Sequence, residues 1–102
     1  MSMKTVIANQ NVEWDDKKAA INKQKHGISF GTAAMVFADE NRVERYDGKH
    51  SQDEDRWQVI GMVNDVLFVV YTERTDAARI IMAREASPKE RREYFDHSTS
   101  YL

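Results

Sequence analysis

Cysteine is absent from this chain, and its 102 residues include one proline and four glycines. Without thiols there is neither a disulfide framework nor thiolate zinc ligation, a composition that suits a reducing compartment. There is no glycine-rich phosphate loop and no HExxH pair, and three scattered histidines do not make a metal site, so neither a metal nor a cofactor is expected. Long apolar runs are also missing. The longest, Val66 to Tyr71, falls far short of the roughly 20 residues a membrane helix needs, and the N-terminus lacks an apolar signal core. The expectation is a soluble, cytoplasmic protein with no membrane contact. A basic excess is lacking too: the net charge of −2 argues against a nucleic-acid binder that works by bulk charge.

The distribution of charge says more than its total. Asp39 to Asp55 holds seven acids against three basic residues, whereas Met1 to Gly27 holds five lysines against three acids. Such asymmetry suits two partners, one anionic and one cationic. A hydrophobic content of 41% over this length supports one modest core. A single domain is expected over 12–96, with tails at 1–11 and 97–102.

Local signals set out the elements. Asp15 reads as an N-cap for a helix that carries acids at its start and lysines at its end and stops at Gly27. From Ser29 a second helix places Phe30, Ala33, Ala34 and Phe37 on one apolar stripe. Arg42 to Tyr46, Arg56 to Val63, Val66 to Arg74 and Ala78 to Ala86 read as four antiparallel strands, with Asn64-Asp65 as a two-residue turn and Thr75-Asp76-Ala77 as a short connection. Ser87, Pro88 and Glu90 form a capping box for a last helix, which buries Tyr94 and Phe95 and gives way to a polar tail from Asp96. The predicted fold is α+β, two N-terminal helices packed on a four-stranded antiparallel sheet, then a C-terminal helix.

Strand alternation sorts the side chains. One face should collect Trp57, Val59, Val63, Val66, Phe68, Val70 and Ile81 under the first two helices. The other should collect Arg56, Gln58, Ile60, Met62, Leu67, Val69, Tyr71, Glu73, Ile80, Met82 and Arg84. Arginine fixed on a strand is a permanently charged planar fork that matches two phosphate oxygens. Arg56 and Arg84, with Tyr71 and Glu73 on the same face and His50 in the preceding loop, are therefore the candidate catalytic set. The matching chemistry is RNA cleavage without a metal. A base takes the ribose 2′-hydroxyl proton, the oxygen attacks phosphorus, and guanidinium groups stabilise the charge on phosphate. His50 has a suitable ordinary pKa, and Glu73 or Tyr71 are alternatives. Arg74, Arg79, Arg91, Tyr94 and Lys25 are candidates for contacting RNA, with Arg74 and Arg79 facing each other across the last hairpin on the core side.

Val12-Glu-Trp-Asp15, Lys25-His-Gly-Ile-Ser-Phe30, Val36-Phe37, His50 before an acidic run and Arg56, Thr72-Glu-Arg74, Arg79-Ile-Ile-Met-Ala-Arg84 and Glu90-Arg-Arg-Glu-Tyr94 occur in an order and spacing that resembles the BrnT toxins. The resemblance covers nearly everything from Val12 to Phe95. It implies a ribonuclease toxin of a type II toxin–antitoxin module, a fold similar to RelE toxins, inhibition of translation, and a BrnA antitoxin partner through which alone operator DNA is bound. It also marks His50, Arg56, Arg74, Arg79, Arg84 and Tyr94 by position. Ala38-Asp-Glu-Asn41 departs from the family's usual exit from the second helix, and Met82 stands where a small polar residue is common. Two other readings start from the same residues. The first is a non-catalytic interaction module that docks a partner helix on Ile60, Met62, Leu67 and Val69. The second, a DNA-binding regulator, lacks a recognition helix.

Overall fold

The computed structural model describes the backbone of residues 1–99 and the side chains of residues 1–97. Six strands form one mixed sheet: β1 (Ser2–Ile7), β2 (Gln10–Asp15), β3 (Val43–Tyr46), β4 (Arg56–Val63), β5 (Asp65–Arg74) and β6 (Ala77–Glu85). The spatial order is β1-β2-β6-β5-β4-β3, with β2 and β6 parallel and every other pair antiparallel. Helices α1 (Asp16–His26) and α2 (Phe30–Ala34), the latter continued by a 3₁₀ turn Met35–Ala38, cover one face, and α3 (Pro88–Thr99) packs on the other. None of the helices is long and apolar enough to cross a membrane among the described residues.

The helix ends follow their local chemistry. Asp15 accepts a hydrogen bond from the Lys18 N–H at 3.0 Å, and Gly27 closes α1 in the left-handed region at φ 74°. At α2 the Ser29 hydroxyl accepts from the Thr32 N–H. In α3 the reciprocal box forms, with the Ser87 N–H donating to Glu90 at 2.8 Å and the Glu90 N–H to the Ser87 hydroxyl at 3.2 Å. The apolar stripe of Phe30, Ala33 and Ala34 on α2, with Val36 and Phe37 of the 3₁₀ turn, is buried against Val59, Leu67, Val69, Tyr71 and Ile80. Each large side chain buried there is worth about 1.5–3 kcal/mol. Gly61 permits this close approach, because a Cβ there would lie 3.0 Å from that of Val36.

The sheet differs from the four-stranded one that the sequence predicts. Residues 1–11, expected as a tail, form β1 and the start of β2 in the β1–β2 hairpin, whose turn holds Ala8 and Asn9 at φ 48° and 69°. That pair of positive φ values defines a primed turn without its usual glycine, which is why the segment reads as irregular. In the β4–β5 connection Met62 pairs with Val66, where a two-residue turn would pair Val63 with Val66, and Asn64 alone turns the chain at φ 64°. This shift inverts β5: Leu67, Val69 and Tyr71 lie under α2, and Val66, Phe68 and Val70 lie under α3. The proposed docking strip therefore does not exist, since Ile60 is buried on the α3 face while Leu67 and Val69 are buried on the opposite one. Tyr94 fills the α3 core, but Phe95 stays largely exposed. The helix also continues through the stretch from Asp96 that was expected as tail, and the rest of that tail, 100–102, lies outside the described residues.

Strand β6 is paired by β2 only at Ala78 and Arg79, so Ala83 presents an unpaired backbone edge. Asn22 on α1 fills it, accepting from the Ala83 N–H at 3.1 Å and donating to the Ala83 and Ile28 carbonyls at 2.9 and 3.0 Å. Replacing Asn22 with Leu strands these buried groups, at about 1–3 kcal/mol for each one left unsatisfied. Urea unfolding of Asn22→Leu should show a loss of about 2–3 kcal/mol with an unchanged m-value, and a loss below about 0.5 kcal/mol would show that water replaces the side chain.

Candidate active site

The loop between β3 and β4 is folded by its own polar side chains. Asp47 accepts from the His50 N–H at 3.3 Å, and its backbone N–H donates to the Arg56 carbonyl at 2.8 Å. The Ser51 hydroxyl donates to the Asp47 carbonyl at 2.6 Å and accepts from the Arg56 N–H at 2.8 Å. Thr72 on β5 pins the far end through a 2.7 Å hydrogen bond to the Asp55 carbonyl. These bonds set His50 beside the first residue of β4.

The His50 imidazole then rests on Asp47, with Nδ1 3.0 Å from Oδ2 and 3.1 Å from Oδ1. Asp47 is buried while the histidine side chain is 60% exposed, so the other ring nitrogen remains open to a ligand. Burial works against the charged form of Asp47, but hydrogen bonds from Gln58 and His50 outweigh it and hold the carboxyl below its usual range. A fixed carboxylate behind an exposed imidazole orients the ring and selects one tautomer, which is what a proton acceptor requires.

His50 opens onto a cleft of about 470 Å³ whose floor is Phe68, Val70, Ile81 and Met82 and whose rim includes Arg45, Arg56, Arg84 and Glu90. A slightly larger groove of about 500 Å³ lies at the other end of the sheet, between β1 and the β5–β6 turn, but it holds no histidine and no dyad. Arg84 reaches the cleft because of a bulge. From Arg74↔Ala77 to Tyr71↔Ile80 the hairpin keeps one register, then Val70 pairs with Met82 and Phe68 with Arg84. Without the extra residue Arg84 would oppose Leu67 on the α2 face. Arg56 reaches the same side through the regular alternation of β4.

The two arginines differ in what holds them. Arg84 is clamped by Glu90 through two hydrogen bonds of 2.8 and 3.0 Å, and its guanidinium lies 4.1 Å from the Phe68 ring centroid. Burial opposes ionisation of Glu90, yet Arg84 and the Ser87 N–H overcome it and keep that carboxyl below its normal range. Arg56 is half-buried, and its guanidinium forms neither a hydrogen bond nor an ion pair with another side chain among the described residues.

The remaining candidates lie elsewhere. The inverted β5 register puts Tyr71 and Glu73 on the α2 face, away from Arg84, contrary to the alternation expected from a two-residue turn. The Tyr71 hydroxyl donates to Glu44 at 2.8 Å and its ring packs edge-on against Phe37, and burial with the Glu44 contact pushes its ionisation up. Arg79 pairs with Thr72 and Arg74 with Ala77, so the two are diagonal neighbours on the α3 side of the sheet, not partners on the core side. Arg79 makes an ion pair with Glu13, and Arg74 lies 3.6 Å from Glu54. Arg91 is bound to Asp65, and Tyr94 is buried with its hydroxyl on Asp39 at 2.6 Å. Lys25 is exposed on the last turn of α1, on the opposite side of the sheet from the cleft. Among the described residues no three His, Asp or Glu side chains group to hold a metal ion. Asp47, the hydrogen bond it takes from Gln58 and the clamping role of Glu90 escaped the sequence reading, although alternation places Gln58 on the face of Arg56. Asp47 had a signal in the i, i+3 spacing of Asp47-Gly-Lys-His50, which suits an Asx-type turn.

Residues 14–90 match the family model described as the ribonuclease toxin, BrnT, of type II toxin–antitoxin systems. The class is thus a toxin of a type II toxin–antitoxin system, and the chain belongs to the BrnT family. In fold it is similar to the crystal structure of the Brucella abortus ribonuclease toxin BrnT, with a TM-score of 0.55 and 22% sequence identity over 81% of this chain and 99% of that one. No curated protein sequence matches the chain significantly.

Proposed function

We propose that the Asp47–His50–Arg56 cleft cleaves RNA without a metal, that this cleavage inhibits translation, and that a cognate BrnA-like antitoxin, which would also carry any operator binding, neutralises the protein in the cytoplasm. One observation carries the reading: an oriented, exposed imidazole stands beside an unpaired guanidinium on a rigid strand. His50 takes the proton of a ribose 2′-hydroxyl, and that oxygen bonds to the adjacent phosphorus. The phosphorus–O5′ bond breaks, leaving a 2′,3′-cyclic phosphate, and water supplies the proton to the departing 5′-oxygen. Arg56 donates to the phosphate oxygens as charge builds on them, a contribution of about 3 kcal/mol for one positioned donor. Arg84, held by Glu90, acts by its charge and by fixing the cleft wall. Tyr71 and Glu73 have no part in this chemistry, because they lie across the sheet.

Purified protein is expected to cut single-stranded RNA in excess EDTA and to leave cyclic-phosphate ends, read by electrophoresis and by acid treatment of the termini. A strict requirement for added magnesium would overturn the mechanism.

A further inference from the structure

An RNA chain with one linkage in the cleft must leave it in a direction the surface permits. At one end α3 closes the sheet face over Ile60, Val66, Phe68 and Val70. Toward the other end no helix among the described residues packs on the face, and a row of residues crosses it. Lys4, Glu13, Arg79, Thr72 and Arg56 are successive cross-strand partners over β1, β2, β6, β5 and β4, and therefore share that face. Arg74, two residues past Thr72, points the same way. The row begins at the cleft, through Arg56, and ends at the 500 Å³ groove bounded by Lys4, Glu13, Arg74 and Asp76.

This groove is built rather than incidental. The Asn11 amide donates to the Asp76 carbonyl at 3.0 Å, which ties the N-terminal hairpin to the β5–β6 turn and fixes the width between them. Its charge is not uniform. Glu13 is engaged by Arg79, Glu54 stands 3.6 Å from Arg74, and Asp76 adds a carboxylate to the wall. Lys4 is exposed with no ion pair among the described residues, and Arg74 is half exposed. The groove thus offers one cation outside any ion pair among the described residues, Lys4, and a second, Arg74, whose contact with Glu54 is long and exposed, so that a phosphate can compete for it. From Arg56 at the cleft to Lys4 in the groove the row crosses four interstrand spacings, about 19 Å, which a few nucleotides span.

We infer that the groove between the β1–β2 hairpin and the β5–β6 turn is a second RNA subsite, in which Lys4 and Arg74 bind backbone phosphates of single-stranded nucleotides flanking the cleavage point. The inference rests on the proposed nuclease reading for its direction, but its test separates the two. Lys4→Glu/Arg74→Glu, and the milder Lys4→Gln/Arg74→Gln, are compared with the wild type on a dinucleotide and on an oligonucleotide of about a dozen residues, a length within reach of a small single-strand-binding surface. Binding to a non-cleavable 2′-O-methyl version is followed by fluorescence anisotropy at several salt concentrations. The expected result is dinucleotide cleavage as in the wild type, oligonucleotide KM raised on the order of tenfold, and a salt dependence shallower by about 1.4 for two lost single-strand contacts. Equal losses on both substrates, or none on either, would overturn the subsite. So would variants that lose capture of an antitoxin while binding the oligonucleotide normally, which would give the groove to a protein. If the wild type binds the oligonucleotide through Lys4 and Arg74 but cleaves nothing, the subsite stands and the nuclease reading falls.

Discussion

His50→Ala is expected to slow RNA cleavage by about 10²–10⁴-fold, the usual worth of a positioned proton acceptor. The fold should lose little. The side chain is 60% exposed and its ring gives up only its hydrogen bonds to Asp47, so the cost should stay within the roughly 1–3 kcal/mol of one buried acceptor losing a partner. Asp47→Asn is expected to lower kcat with little change in KM, because the imidazole keeps a neighbour but loses the charge that fixes its tautomer. Stopped assays on a fluorescent oligonucleotide, with thermal unfolding as the control, decide the matter. Cleavage by His50→Ala within threefold of the wild type would remove the dyad from the mechanism and leave phosphate stabilisation as the source of any activity.

The parts of the fold that were legible in the sequence are those set within four or five residues. Asp15, Gly27, Ser29 and the Ser87–Glu90 box all act on backbone groups a turn away, and each forms as its chemistry dictates. Register is a different kind of property, because one residue more or less in a turn reverses a whole strand. Asn64 turning the chain alone had no glycine to announce it, nor did Ala8 and Asn9. The candidate site survived through a cancellation. The β4–β5 shift alone would have carried Arg84 to the α2 face along with Tyr71, and the β6 bulge at Ile81 returns it to the side of Arg56. Tyr71 and Glu73, before the bulge, kept the inverted register and were lost from the site. His50 needed no register, because the loop that holds it is closed by Asp47 and Ser51. The contact between Asp47 and Gln58 went unnoticed for the opposite reason: it joins the loop after β3 to the neighbouring strand β4, which spacing alone does not display.

The contrast between the two cleft arginines yields the other large effect. Arg56→Ala is expected to reduce kcat by about 10²-fold, the loss of roughly 3 kcal/mol when one donor to the developing charge is removed, with Tm unchanged because no carboxylate depends on it. Arg56→Lys should recover little, since an ammonium keeps the charge but lacks the fork that spans two phosphate oxygens. Arg84→Ala should behave differently. It strips Glu90, a buried carboxylate at the start of α3, of two hydrogen bonds and removes the stack on Phe68, so Tm should fall along with activity. Pairing it with Glu90→Gln removes the stranded charge and should restore much of the stability without restoring the rate. Steady-state kinetics beside thermal melts of the four proteins separate the roles. If Arg84→Ala lost activity with Tm intact while Arg56→Ala cleaved normally, the phosphate would sit on the clamped arginine, and Glu90 would have to release it before each turnover.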